Sequence, residues 1–372
     1  EFRVRGPGGP NDEFIEIYNN SGADHTVSDS GAGTGYAVAA SDGVARCIIP
    51  NGTVIPSHGH YLCTNSGAYS LSGYATGDAT YSTDIPDNAG IALFNTSVAA
   101  NFTLANRLDA AGSTTEANTL YKEGVGYPAL TPFSIDYAFV RDECGKLGSI
   151  TSFGVCPSGG AHIDTNNNAT DFYYVDTNVI SAGAGQRLGA PGPQNLASPI
   201  QRTAQFPFLM LDSTASPSLA PNRVRDFTSD SVNNSTFGTI EFRRRVVNNT
   251  GAAVTRLRYR IIDLSTFPAP AGIADLRART SSLVVVSGIN DAATCLSSNG
   301  VATTPCTVNV QGTTLEQPPT QGNGGAFNST LSSGTITLGT PLADGVAINI
   351  RMLFGIEQTG NFKFYVNIEA LQ

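Results

Sequence analysis

Tryptophan is missing from this 372-residue chain, methionine occurs twice, and charged side chains make up only 14% of it. Without indole, a sugar-stacking platform has only tyrosine to build on. No apolar run approaches the ~18 residues of a membrane-spanning helix, and no basic-then-apolar leader opens the chain. The expectation is therefore a protein with no transmembrane segment, read from beyond any signal peptide. The glycine-rich phosphate loop, the G-x-S-x-G elbow and the H-E-x-x-H pair are absent as well. No cysteine or histidine group falls at zinc spacing. With those classes removed, the expectation is that the chain is not an enzyme.

What is present reads as β-structure. Forty glycines and twenty prolines accompany 40% hydrophobic residues. The apolar residues fall in short alternating runs, which disordered segments of similar composition lack. The length allows two or three domains. Pro191, Pro193, Pro199, Pro207 and Pro217 mark a border, so the sequence predicts an all-β protein of two tandem immunoglobulin-like sandwiches, residues 1–195 and 205–372.

The organising stretch is Glu1–Asn20. Phe2 and Val4 alternate with Arg3 and Arg5, Gly6-Pro7-Gly8-Gly9-Pro10 breaks the strand, and Phe14, Ile15 and Ile17 resume it among Glu13, Glu16 and Tyr18. An arginine-glycine loop followed by Asp12-Glu13-Phe14-Ile15-Glu16-Ile17-Tyr18-Asn19 resembles the opening of the lamin-tail domain. Similar runs continue at Gly35–Val38, Ile55–Cys63, Asp84–Phe94 and Asp109–Gly112, so the likeness covers about the first half. It implies an immunoglobulin-like sandwich of the kind found in secreted bacterial proteins, and a binding, scaffolding or decorating role with no reaction shared by the family.

Six cysteines fall as three local pairs: Cys47 with Cys63, Cys144 with Cys156, and Cys295 with Cys306. Disulfides within each pair, each worth on the order of 3 kcal/mol, would place the chain outside the cytoplasm; free buried thiols are the alternative. Asn19, Asn51, Asn95, Asn101, Asn168, Asn233, Asn234, Asn248 and Asn328 open glycosylation sequons, so surface glycans enter as possible partners.

Two sites invite a metal. His58 and His60 share one face if both lie on a strand, although no carboxylate follows at close spacing. Asp164, Asn166, Asn168 and Asp171 resemble the start of a calcium loop, but Ala169 stands where glycine is needed and the twelfth-position glutamate is missing. A polar hairpin capping its own backbone is the preferred reading, and no cofactor is assigned.

In the second half, Thr239–Val247 and Thr255–Asp263 alternate strongly and look like a hairpin turned at Asn248-Asn249-Thr250-Gly251. Further strands are expected at Phe206–Leu211, Leu283–Ser287, Thr307–Val310, Ile336–Leu338, Val346–Leu353 and Phe362–Ala370. The proposed hairpin would set Arg243 and Arg245 beside Arg256, Arg258 and Arg260 as a solvent-facing cationic ladder. Residues 1–198 hold 8 Lys+Arg and 19 Asp+Glu, net −11, while residues 199–372 hold 13 and 11, net +2. Nucleic acid is not expected, since the chain is acidic and no aromatic residue interleaves the arginines.

The expectation is a non-catalytic, extracellular structural subunit of a surface filament or layer, assembling head-to-tail with copies of itself. Its interface would use edge strands carrying Phe2 and Val4 at one end and Phe364 and Val366 at the other, with the arginine ladder setting direction. The alternative is a secreted ligand- or carbohydrate-binding module.

Overall fold

The computed structural model describes residues 1–131, 134–143, 162–297 and 299–372. Among them almost all regular structure is β, the exceptions being one α-helical turn, Asn168–Asp171, and single turns of 3-10 helix. The chain is all-β, as the alternating patterns predict. It divides into two compact units, Glu1–Ser198 with Gln317–Gly322 and Pro199–Glu316 with Asn323–Gln372.

The first unit has a six-stranded sheet in the order Phe172–Asp176, Tyr137–Arg141, Phe2–Arg3, Phe14–Tyr18, His60–Asn65 and Ala79–Tyr81. A four-stranded sheet runs Arg107–Ala111, Ile91–Phe94, Gly35–Ala40 and Ala45–Pro50. Ile15, Tyr61 and Phe139 of the larger sheet and Val38, Ile49 and Ile91 of the smaller meet in one buried cluster. Cys47 and Cys63 form a disulfide that ties the two sheets together through that core.

Of the three disulfides expected, the structure describes two, Cys47 with Cys63 and Cys295 with Cys306. Cys144 and Cys156, the third expected pair, lie outside the described residues.

The opening strand also differs from expectation. Phe2 pairs with Ile15 on one side and Phe139 on the other, so this strand lies inside the sheet and offers no free edge. Its ring packs on Tyr127, Phe139 and Phe172 at 5.3–5.4 Å, and Val4 is 2% exposed. Phe2 and Val4 are therefore core, and the interface expected there is withdrawn. Arg3 is also buried: its guanidinium pairs with Asp12 and reaches Asp136 and Ser70 at 3.1 Å. Gly6 makes room for this pair, because a Cβ there would sit 2.5 Å from the Asp12 carboxylate and 2.6 Å from Arg3 Cζ.

Glu13 is the second buried charge of this stretch. Its Oε2 accepts from Asn65 at 2.9 Å and its Oε1 from the Ile85 amide at 2.6 Å. Burial outweighs those hydrogen bonds and raises its pKa to about 7. The folded state thus keeps a proton that the unfolded chain loses near pH ~4.5, so stability should decline as pH rises from ~4.5 to ~7. Glu13→Gln should remove up to ~1.4 kcal/mol per pH unit of that slope, measured by urea denaturation at stepped pH. An unchanged slope would show that Glu13 titrates normally.

The second unit has a seven-stranded sheet whose main path is Phe208–Met210, Thr239–Val247, Ala347–Gln358, Cys306–Gly312 and Val284–Ile289. Arg223–Asp226 also pairs with Thr239–Val247, and Asp275–Arg279 with Ala347–Gln358. A five-stranded sheet runs Ile200–Gln201, Phe364–Leu371, Arg256–Leu264, Thr330–Ser332 and Thr314–Leu315. Phe242 and Phe354 of one sheet meet Phe364 of the other at 5.6 and 4.8 Å.

Two expectations fail here. Thr239–Val247 and Arg256–Leu264 belong to different sheets, so they form no hairpin. Between them, Asn248 is buried; its amide donates to Ala252 and Leu342 carbonyls and its Oδ1 accepts from Thr250, so the chain crosses to the other sheet. The C-terminal strand is not a bare edge either. Ile200–Gln201 covers its last residues, Val366 pairs with Ile261, and the Phe364 ring turns into the core. Phe364 and Val366 are withdrawn as interface residues. Ile336–Leu338 is a turn and an isolated bridge, whereas Arg223–Asp226, Asp275–Arg279 and Thr330–Ser332 are strands too short or too polar to show alternation.

Candidate functional site

The expected arginine ladder becomes a buried ion network. Arg258 and Arg260 alternate with Leu257, Tyr259 and Ile261 as foreseen, but both faces of this central strand are covered, leaving the two arginines 1% and 5% exposed. In register with Arg258, Glu369 receives Arg258 Nε at 2.5 Å and Arg260 Nε at 2.6 Å. Arg260 also donates to the Asn328 side chain at 2.6 Å. Glu316 accepts from Arg256 at 2.9 Å and Thr330 at 2.7 Å, with Arg258 at 3.4 Å. Burial acts to raise the Glu316 carboxyl, yet Arg258 and Arg256 hold it below its ordinary value. Buried charge is tolerated when it is matched and hydrogen-bonded in this way. Arg258 and Arg260 serve the fold, and only Arg256 reaches solvent to any extent.

Arg243 pairs with Glu241, which Arg351 also grips. Among the described residues, no carboxylate stands within ion-pair distance of Arg223, Arg225, Arg244 or Arg245. Arg225 donates to the Thr239 carbonyl at 3.0 Å and lies 4.3 Å from the Phe227 ring. Arg244 donates to the Arg243 and Asn222 carbonyls, and burial together with nearby Arg223 lowers its pKa. These cations gather along one border of the seven-stranded sheet, where Leu209 and Phe227 are 45% and 80% exposed. The opposite border is Val284–Ile289, paired on one side only among the described residues, with Leu283 and Val285 46% and 63% exposed.

In the first unit, Asp164 and Asp171 do come together, but not as a calcium loop. Asp171 Oδ1 and Oδ2 accept from Thr165 and Asn167 and cap the turn. Asn168 accepts from the Gly112 and Glu123 amides and donates to the Ala110 carbonyl, so it has nothing left for a metal. Asn166 takes a left-handed turn conformation at φ 55°. Glu123 arrives instead, with ligand atoms of Glu123, Asp164 and Asp171 all within 4.8 Å of one another. Burial and nearby Asp109 raise Glu123 to about 7. Nothing in the sequence flagged Glu123, which lies in a different loop.

His58 and His60 do not share a strand face. His58 sits in the turn before the strand at φ 56° and bonds the Tyr18 hydroxyl at 2.9 Å, while His60 meets Glu16 at 3.0 Å. Among the sequons, Asn168, Asn248 and Asn328 are buried, the first two bonded to backbone and the third to Arg260, so they are not glycan attachment points in this fold. No helix among the described residues is long and apolar enough to cross a membrane. Comparison with protein-family models, curated proteins and solved structures finds no match.

Proposed function

We propose that this chain is a non-catalytic, extracellular structural subunit whose copies associate head-to-tail through the second unit's seven-stranded sheet. The carrying observation is the Val284–Ile289 border, whose unpaired backbone groups and exposed Leu283 and Val285 suit strand addition from another copy. The other border of the same sheet differs in chemistry, with Arg223, Arg225 and Phe227, and unlike borders favour contacts that do not close on themselves. The lamin-tail-like first unit, at net −11 over residues 1–198, supplies the acidic counterpart to those unpaired arginines. The disulfides suit an oxidising location outside the cytoplasm.

Light scattering and electron microscopy of the full chain test the proposal. Wild type is expected to form large particles as concentration rises. Val285→Lys places a charge on the open border and should leave a folded monomer, while Arg223→Glu with Arg225→Glu should slow assembly and weaken its salt dependence. A wild type that stays monomeric at high concentration would reject assembly and favour the secreted binding module.

A further inference from the structure

The geometry points to a calcium site in the first unit formed by Glu123, Asp164 and Asp171, whose ligand oxygens lie within 4.8 Å of one another, with the Asp109 carboxylate as a charged neighbour. The ligand set is all-oxygen, the donor type that hard divalent cations take. The Glu123 side chain is 5% exposed; its Oε1 receives Arg107 at 3.1 Å and its Oε2 has no hydrogen-bond partner. Asp109, whose side chain is 40% exposed, repeats part of the pattern: Oδ2 receives Arg141 at 2.6 Å, and the shielded Oδ1 has no partner. Two carboxylates are thus each clamped by an arginine through one oxygen, with the second oxygen left over. A buried anionic oxygen without a donor is costly, so each asks for a cation or a proton.

Charge balance supports a cation. Fully ionised, Asp109, Glu123, Asp164 and Asp171 carry four negative charges against two on Arg107 and Arg141, the deficit of one divalent ion. Arg141 does not close the gap, since it stands 3.6 Å from Asp164 and 3.8 Å from Asp171, contacts longer than a normal charged hydrogen bond. Asp164 is 45% exposed, which gives an ion entry from solvent and room for the waters that complete a calcium shell. Asn168 fixes the Glu123 amide and the end of the Arg107–Ala111 strand, so the two clamped carboxylates are positioned before any ion arrives. Sites of this ligand count in extracellular modules bind calcium at about 10⁻⁴–10⁻³ M.

The test is calorimetric titration of the chelator-treated full chain with calcium chloride, alongside thermal unfolding with and without ~10 mM calcium. One ion per chain and a rise in melting temperature are expected. Glu123→Gln keeps an oxygen for Arg107 and removes the charge, so it should fold normally without calcium yet bind at least about tenfold more weakly. Asp164→Asn, on the exposed side, should weaken binding with no change in calcium-free stability. Absence of both heat and thermal shift in wild type, or wild-type affinity in both variants, would overturn the site and leave a protonated Glu123 as the explanation of the unpartnered oxygen.

Discussion

Glu369→Ala is expected to destabilise the second unit by about 3–5 kcal/mol, a large share of a domain's stability. The carboxylate alone bridges Arg258 and Arg260, which are 1% and 5% exposed in the middle of the five-stranded sheet. Removing it leaves two guanidiniums buried on adjacent same-face positions, where their mutual repulsion adds to lost hydration. Glu369→Gln should recover part of the loss by restoring one acceptor. Replacing Arg258, Arg260 and Glu369 together with apolar residues of similar volume should cost far less than Glu369→Ala, because a matched buried network contributes little net stability over good packing. Urea denaturation of the three variants decides it. A loss below ~1 kcal/mol for Glu369→Ala would mean that the arginines reach water, as a solvent-facing ladder requires.

The same residues show how far the sequence could be read. Alternation placed Thr239–Val247 to the residue, because it presents a regular apolar pattern to a core. Alternation says which side chains share a face, but not whether the opposite face is wet. Arg3, Arg258 and Arg260 look like solvent-facing residues and instead sit under cover, matched by Asp12, Glu369 and Glu316. The clue lay in the partners: Glu369 stands inside the apolar run Ile368-Glu369-Ala370, and Asp12-Glu13 follows directly on a tight loop. Topology was less legible. Asn248-Asn249-Thr250-Gly251 has hairpin composition, yet the Asn248 side chain holds a crossing between sheets, and composition does not distinguish the two. Glu123 and Asp164 meet through tertiary pairing of separate loops, which no local pattern encodes.

Loss of the Cys47–Cys63 disulfide should cost clearly more than loss of Cys295–Cys306, although the two close similar loops. Sequence separations of 16 and 11 residues give nearly equal loop-closure contributions, each about 3 kcal/mol and differing by ~0.3 kcal/mol. Surroundings separate them. Cys47 and Cys63 are 2% and 0% exposed and stand on different sheets of the first unit, within the core where Ile49, Tyr61 and Phe139 meet. Cutting that link frees the sheets from each other and leaves two small cavities after alanine replacement. Cys306 is already paired with Ile289 in the antiparallel border of the second unit, and the cluster around Cys295 is a small one of Leu211, Val286, Ile289 and Val310. Cys47→Ala with Cys63→Ala should therefore lose at least ~1.5 kcal/mol more than Cys295→Ala with Cys306→Ala in urea denaturation. Equal losses would show that chain entropy accounts for both disulfides and that the sheets of the first unit hold together by apolar packing alone. Burial adds a kinetic expectation: a small thiol reductant should cleave Cys295–Cys306 in the native protein and reach Cys47–Cys63 only as the first unit opens.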